Sequence, residues 1–153
     1  MAAIRNRRRQ YDTLITGVAI SLLRNAGLEF STFWRNGWRL YATDTKRGRC
    51  RWSDKTLTIP VWAIEGQTQR SLLPGFLKWY VAHEMAHAYA GPKAKHGPDF
   101  MVQLHRLCPP DSLHFELGYK PRNATASGIR MPDGSKVVRR RPGFGLANRL
   151  NFT

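Results

Sequence analysis

The chain has 153 residues, of which 42% are hydrophobic and 11% aromatic, enough for one domain around a single apolar core. Its formal net charge of +15 at neutral pH points to a polyanion such as nucleic acid as partner and decides nothing about fold. Two well-separated cysteines, Cys50 and Cys108, exclude a disulfide framework and a paired-cysteine zinc ribbon and fit a reducing compartment. No apolar run approaches the roughly 20 residues that span a bilayer, so a cytoplasmic or DNA-associated location and no membrane partner are expected.

Residues 1–10 read as a basic N-terminal arm around Arg7-Arg8-Arg9. Tyr11, Leu14, Ile15, Val18 and Leu22 then fall on one helical stripe, with Gly27 as the stop. A basic stretch before an apolar one also has the outline of a signal peptide. The stripe and the lack of a small-residue cleavage site favour a packed amphipathic helix. Three short strands follow. Trp38, Leu40 and Ala42 alternate with Arg39, Tyr41 and Thr43; Cys50 and Trp52 with Arg49 and Arg51; Leu57 and Ile59 with Thr56 and Thr58. Pro60 removes a ladder donor, so the third strand is expected to end there or to lie at a sheet edge.

Leu72, Leu73, Phe76, Leu77, Tyr80 and Val81 recur at helical spacing, with Thr68 or Ser71 as caps, Pro74 in the first turn and Gly91-Pro92 as the stop. This helix carries His83-Glu84-Met85-Ala86-His87. Imidazoles at i and i+4 lie one above the other and can reach a single ion, and the carboxylate between them can handle the proton of a water held there. After a short loop, His96 enters a second helix through Gly97-Pro98 and is the candidate third ligand. Three protein ligands plus a water form the open coordination of a catalytic zinc; structural zinc is closed by four. The bland readings are that His83 and His87 are hydrogen-bonded core residues and that His96 merely opens a helix. Leu113 to Tyr119 reads as a further strand, and from Lys120 onward the pattern dissolves into Arg, Lys, Gly, Pro and Ser.

His83-Glu84-Met85-Ala86-His87-Ala88-Tyr89, then His96-Gly97-Pro98-Asp99-Phe100, then His105-Arg106-Leu107 together resemble the SprT-like zinc metallopeptidases, in particular the Spartan-like core that digests proteins crosslinked to DNA. The likeness covers residues 11–108. It implies an α+β, zincin-like single domain. The parts would be an N-terminal helix, a small mainly antiparallel sheet, the HExxH helix and one after it, with the metallopeptidase domain over 11–119 and a basic C-terminal extension over 120–153. It also implies Zn2+ on His83, His87 and His96, Glu84 as catalytic base, and a substrate strand pairing with an edge strand, for which Thr56 to Val61 is the candidate. Asp99 departs from the family's usual Glu, and the four-cysteine ribbon of bacterial members is absent from this sequence.

Arg39, Arg49 and Arg51 should project from one face of the strands, and Arg139-Arg140-Arg141 form the densest basic run of the tail, where Asp133 is the only acid. Such arrays bind phosphates without sequence preference. Trp34 and Tyr41 are possible base-stacking residues, Trp34 reading better as core. The expected activity is hydrolysis of peptide bonds in DNA-associated proteins, with DNA as a sequence-nonspecific partner; Tyr89, His105 and Tyr119 are oxyanion-donor guesses. Two rivals stand beside it: a non-catalytic zinc protein that binds nucleic acid or is structural, and a regulatory protease that cleaves a repressor.

Overall fold

The computed structural model describes residues 2–118 and two two-residue strands, Ile129–Arg130 and Lys136–Val137, which pair antiparallel. Helix α1 (Ala2–Asn25) continues unbroken through the stretch that reads as a basic arm. Its buried stripe is Ile15, Ala19, Leu22 and Leu23, whereas Leu14 is 45% exposed; the buried face keeps Ile15 and Leu22 of the expected stripe and is rotated away from Leu14 toward Ala19 and Leu23. Gly27 ends the helix in the left-handed region, at φ 74°. Its N–H bonds to Arg24 O at 3.0 Å and that of Leu28 to Leu23 O at 2.8 Å, the paired bonds that glycine permits after a helix.

A short helix not evident in the sequence, α2 (Phe30–Arg35), follows. It buries Phe33, whose ring stacks on Trp38 and Tyr89, each with centroids 5.7 Å apart. The three expected strands form, as β1 (Arg39–Thr43), β2 (Arg49–Arg51) and β3 (Thr56–Pro60). Their order is β1-β3-β2, with β1 parallel and β2 antiparallel to β3. This corrects two expectations. The sheet is mixed, and Thr56–Pro60 is the central strand, not an edge. The reason is burial: Leu57 and Ile59 are fully buried, and the most apolar strand gains most between two neighbours. After the β2–β3 turn, which passes through Lys55 at φ 54°, β3 inserts beside β1. Strand β2 is thereby left as an outer strand.

Pro60 closes β3 and caps α3 (Val61–Glu65), so Val61 is helical. The helix of the histidine motif, α4, spans Phe76–Ala90 and begins later than the spacing suggests. Residues 68–75 form turns in which Ser71 Oγ accepts the Thr68 N–H at 2.8 Å, and Gly75, at φ 85°, leads into the helix. Leu72 and Leu73 are exposed, and Pro74 precedes the helix.

Helix α4 lies in the middle of the molecule, where Val81, Ala82, Met85 and Ala86 are fully buried. It is covered by α1, α5 (Pro98–Leu107) and the sheet, so Lys78 is its one exposed residue and it lacks the broad polar face of a surface helix. The segment read as a strand over Leu113 to Tyr119 is instead a turn and helix α6 (His114–Gly118), with Tyr119 outside the described residues. Its alternating pattern misled because two adjacent residues, Phe115 and Glu116, are both buried against α4, which a half-exposed strand does not allow. Among the described residues, no helix is long and apolar enough to cross a membrane.

Candidate metal centre

His83 and His87 lie one turn apart on α4, and Gly91, whose N–H bonds to His87 O at 3.0 Å, ends that helix. The following turn returns His96 to the same point just before Pro98 starts α5. His96 Nε2 stands 3.2 Å from His87 Nε2 and 3.3 Å from His83 Nε2, and the three ligand atoms all lie within 4.8 Å of one another. Zinc–nitrogen bonds of about 2.0–2.1 Å in a tetrahedron require neighbouring nitrogens roughly 3.3–3.4 Å apart. The donor set therefore fits a divalent ion. Phe100 of α5, fully buried, packs against all three rings at 4.4–4.9 Å. Trp52, just beyond β2, meets His87 edge-on at 6.4 Å.

Protonation supports the same use. Burial, with the neighbouring imidazoles, pushes His87 down to about 3 and His96 to about 4, so both are neutral ligands at physiological pH. His83 is 3% exposed. Burial disfavours its charge, but the Glu116 carboxylate outweighs that and raises its pKa. His83 Nδ1 donates to Glu116 Oε1 at 2.8 Å, which leaves Nε2 as the lone-pair nitrogen facing His96. Trp79 Nε1 donates to the same oxygen at 3.0 Å.

Sequence reasoning missed Glu116. It lies 33 positions from His83, and its only mark is one carboxylate in an otherwise apolar run. The exposed Asp99, in the first turn of α5, sits where a helix favours negative charge. Glu116 is the carboxylate that orients a histidine here.

Glu84 is 6% exposed, next to His83 on α4. Burial raises its carboxyl to about 7, opposed by His83 and reinforced by Glu116. A carboxyl poised near neutrality beside a metal-binding triad is suited to accept and return a proton. Of the oxyanion guesses, Tyr89 stacks its ring on Phe33, and Tyr119 lies outside the described residues. His105 has a buried Nε2 with no hydrogen-bond partner among the described residues.

The basic face forms as expected for its described part. Arg39 and Arg51 both register with Thr56, and Arg49 and Tyr41 with Thr58. All six side chains therefore share the side of the sheet opposite Leu40, Cys50 and Leu57. Trp34 is not core: it is 43% exposed and carries the Arg39 guanidinium 3.3 Å above its ring. Arg51 pairs with Asp54 at 3.0 Å, which leaves Arg49 and Arg39 as the stronger positive points of this face. Arg139, Arg140 and Arg141 lie outside the described residues. Family models, curated proteins and solved structures returned no match to this chain.

Proposed function

We propose that the chain is a zinc metallopeptidase of the SprT-like kind acting on proteins associated with DNA. The observation that carries this reading is the convergence of three histidine Nε2 atoms beside a buried carboxylate on the same helix. A structural site has no need of Glu84, and its desolvation costs free energy that an inert protein gains nothing by bearing. Zinc bound by His83, His87 and His96 would polarise the scissile carbonyl and lower the pKa of water to about 7. Glu84 takes the proton of the attacking water and delivers it to the leaving amine. Glu116 holds the His83 ring so that Nε2 stays available.

The extended substrate pairs with β2 (Arg49–Arg51), the outer strand flanked by the motif helix, which replaces Thr56–Pro60 in that role. Cys50 faces inward on that strand, near enough for the charge of Glu84 to act on it. Arg49 and Arg51 face outward. Nucleic acid on the outer face would therefore hold a bound protein close to the strand that receives it. Incubation with a basic DNA-binding protein, with and without single-stranded DNA, tests the reading. Chelator-sensitive, DNA-stimulated cleavage that Glu84→Gln abolishes is expected. DNA binding with no cleavage under any condition would leave the non-catalytic alternative, and cleavage indifferent to DNA would favour the regulatory protease.

A further inference from the structure

A cleft of about 260 Å³ opens beside His83 and Glu84, toward the N-terminal end of the face of α4 that carries His87. Its floor is the stripe Phe76, Trp79, Tyr80, His83 and Glu84, residues at helical spacing on one face. The opposite wall is the β1–β2 turn, fixed from two sides. Tyr80 Oη accepts the Gly48 N–H at 2.9 Å, and Trp62 Nε1 donates to Lys46 O at 2.8 Å. Three cationic side chains line this space: Lys46 and Arg47, exposed at the rim, and Arg70 within. Among the described residues none of the three forms an ion pair. Arg70 is held by one hydrogen bond to the Phe115 carbonyl and by the faces of Trp79, Phe76 and Phe115 at 5.3–5.7 Å. That contact uses one N–H of a guanidinium that carries five.

We propose that this cleft binds a carboxylate of the peptide substrate next to the bond that is cut, an acidic side chain or the chain's own C-terminus, with Arg70 as the inner anchor and Lys46 and Arg47 at the mouth. Aromatic walls suit the aliphatic stem of such a group, and the guanidinium N–H groups not bonded to Phe115 suit its head. Three cations stand here against the lining carboxylate of Glu84 and that of Glu116, which acts on Arg70; the positive excess disfavours a lysine or arginine side chain, so the basic character of DNA-binding proteins is not what this position selects. The inference rests on the peptidase reading for the place of the cleft, and its test reads binding in place of turnover.

Calorimetric titration of the zinc-loaded full-length Glu84→Gln protein compares end-blocked pentapeptides with Glu, Gln or Lys at the central position. A fourth peptide has central Gln and a free C-terminus. Binding of the Glu peptide at least tenfold tighter than Gln and Lys is expected. The preference should vanish in a Lys46→Glu/Arg47→Glu variant, whose changed residues are exposed and spare the core. Gain by the free-C-terminus peptide in place of the Glu peptide, equally lost in that variant, would support the carboxylate and assign it to the chain end. Equal binding of all four peptides, or a preference untouched by the charge reversal, would overturn the proposal. Displacement of the Glu peptide by a single-stranded oligonucleotide would do the same by assigning the cations to phosphate. None of these outcomes depends on whether wild-type protein digests a protein substrate, so the peptidase reading stands or falls separately.

Discussion

His83 is oriented from behind. Its Nδ1 is tied to Glu116, a residue on a different helix, and the bond fixes both ring angle and tautomer. Glu116→Gln keeps the shape but turns a charge-assisted bond into a weaker one; zinc affinity, measured by competition with a chromophoric chelator, should fall about 10- to 100-fold. A second prediction concerns the two thiols. Burial, with the charge of Glu84, pushes Cys50 up to about 12. Burial, with Glu116 and Asp111, does the same for Cys108. Both are thiols at pH 8, so a thiolate-directed reagent should label neither in native protein and both in denaturant. A folded pKa above the unfolded value means the stabilisation is complete below about pH 9 and is lost as pH rises toward 12. The denaturation midpoint should therefore decline across that window. Histidine spacing made the three ligands legible in the sequence, because i, i+4 geometry is local. Glu116 and Arg70 were not legible, because their partners are supplied by packing between distant segments.

Strands and helices whose character is set by their own alternation or caps, such as α1, β1–β3, the end of α4 at Gly91 and the start of α5 at Pro98, could be read directly. Sheet order could not. No residue of Thr56–Pro60 states that β3 inserts between β1 and β2; the burial of Leu57 and Ile59 from both neighbours does. Leu57→Ala should accordingly cost about 2–5 kcal/mol in equilibrium unfolding, while Leu14→Ala, on the exposed side of α1, should change stability by less than about 0.5 kcal/mol. At Gly48 an added Cβ would lie 2.3 Å from Thr58 O and 2.9 Å from the Tyr80 ring. Gly48→Ala must displace the turn that walls the cleft, with a cost of about 1–3 kcal/mol.

The molecule as a whole puts two chemistries on opposite faces of one thin sheet: an arginine-bearing surface outside, a three-histidine centre inside, with β2 between them. The net charge of +15 states the first and the HExxH motif the second; only the fold shows that both adjoin β2. Replacing Arg39 and Arg49 by Ala should weaken binding to single-stranded DNA and flatten its salt dependence, each lost phosphate contact lowering the logarithmic slope by about 0.7. It should leave the zinc content of the protein unchanged. The centre itself is tested most directly by zinc K-edge absorption on the purified full-length chain. The account predicts one zinc per chain with three nitrogen neighbours at about 2.0–2.1 Å and one oxygen, and loss of that signature in His96→Ala. A sulfur shell, an all-oxygen shell, or an unchanged spectrum after His96→Ala would contradict it.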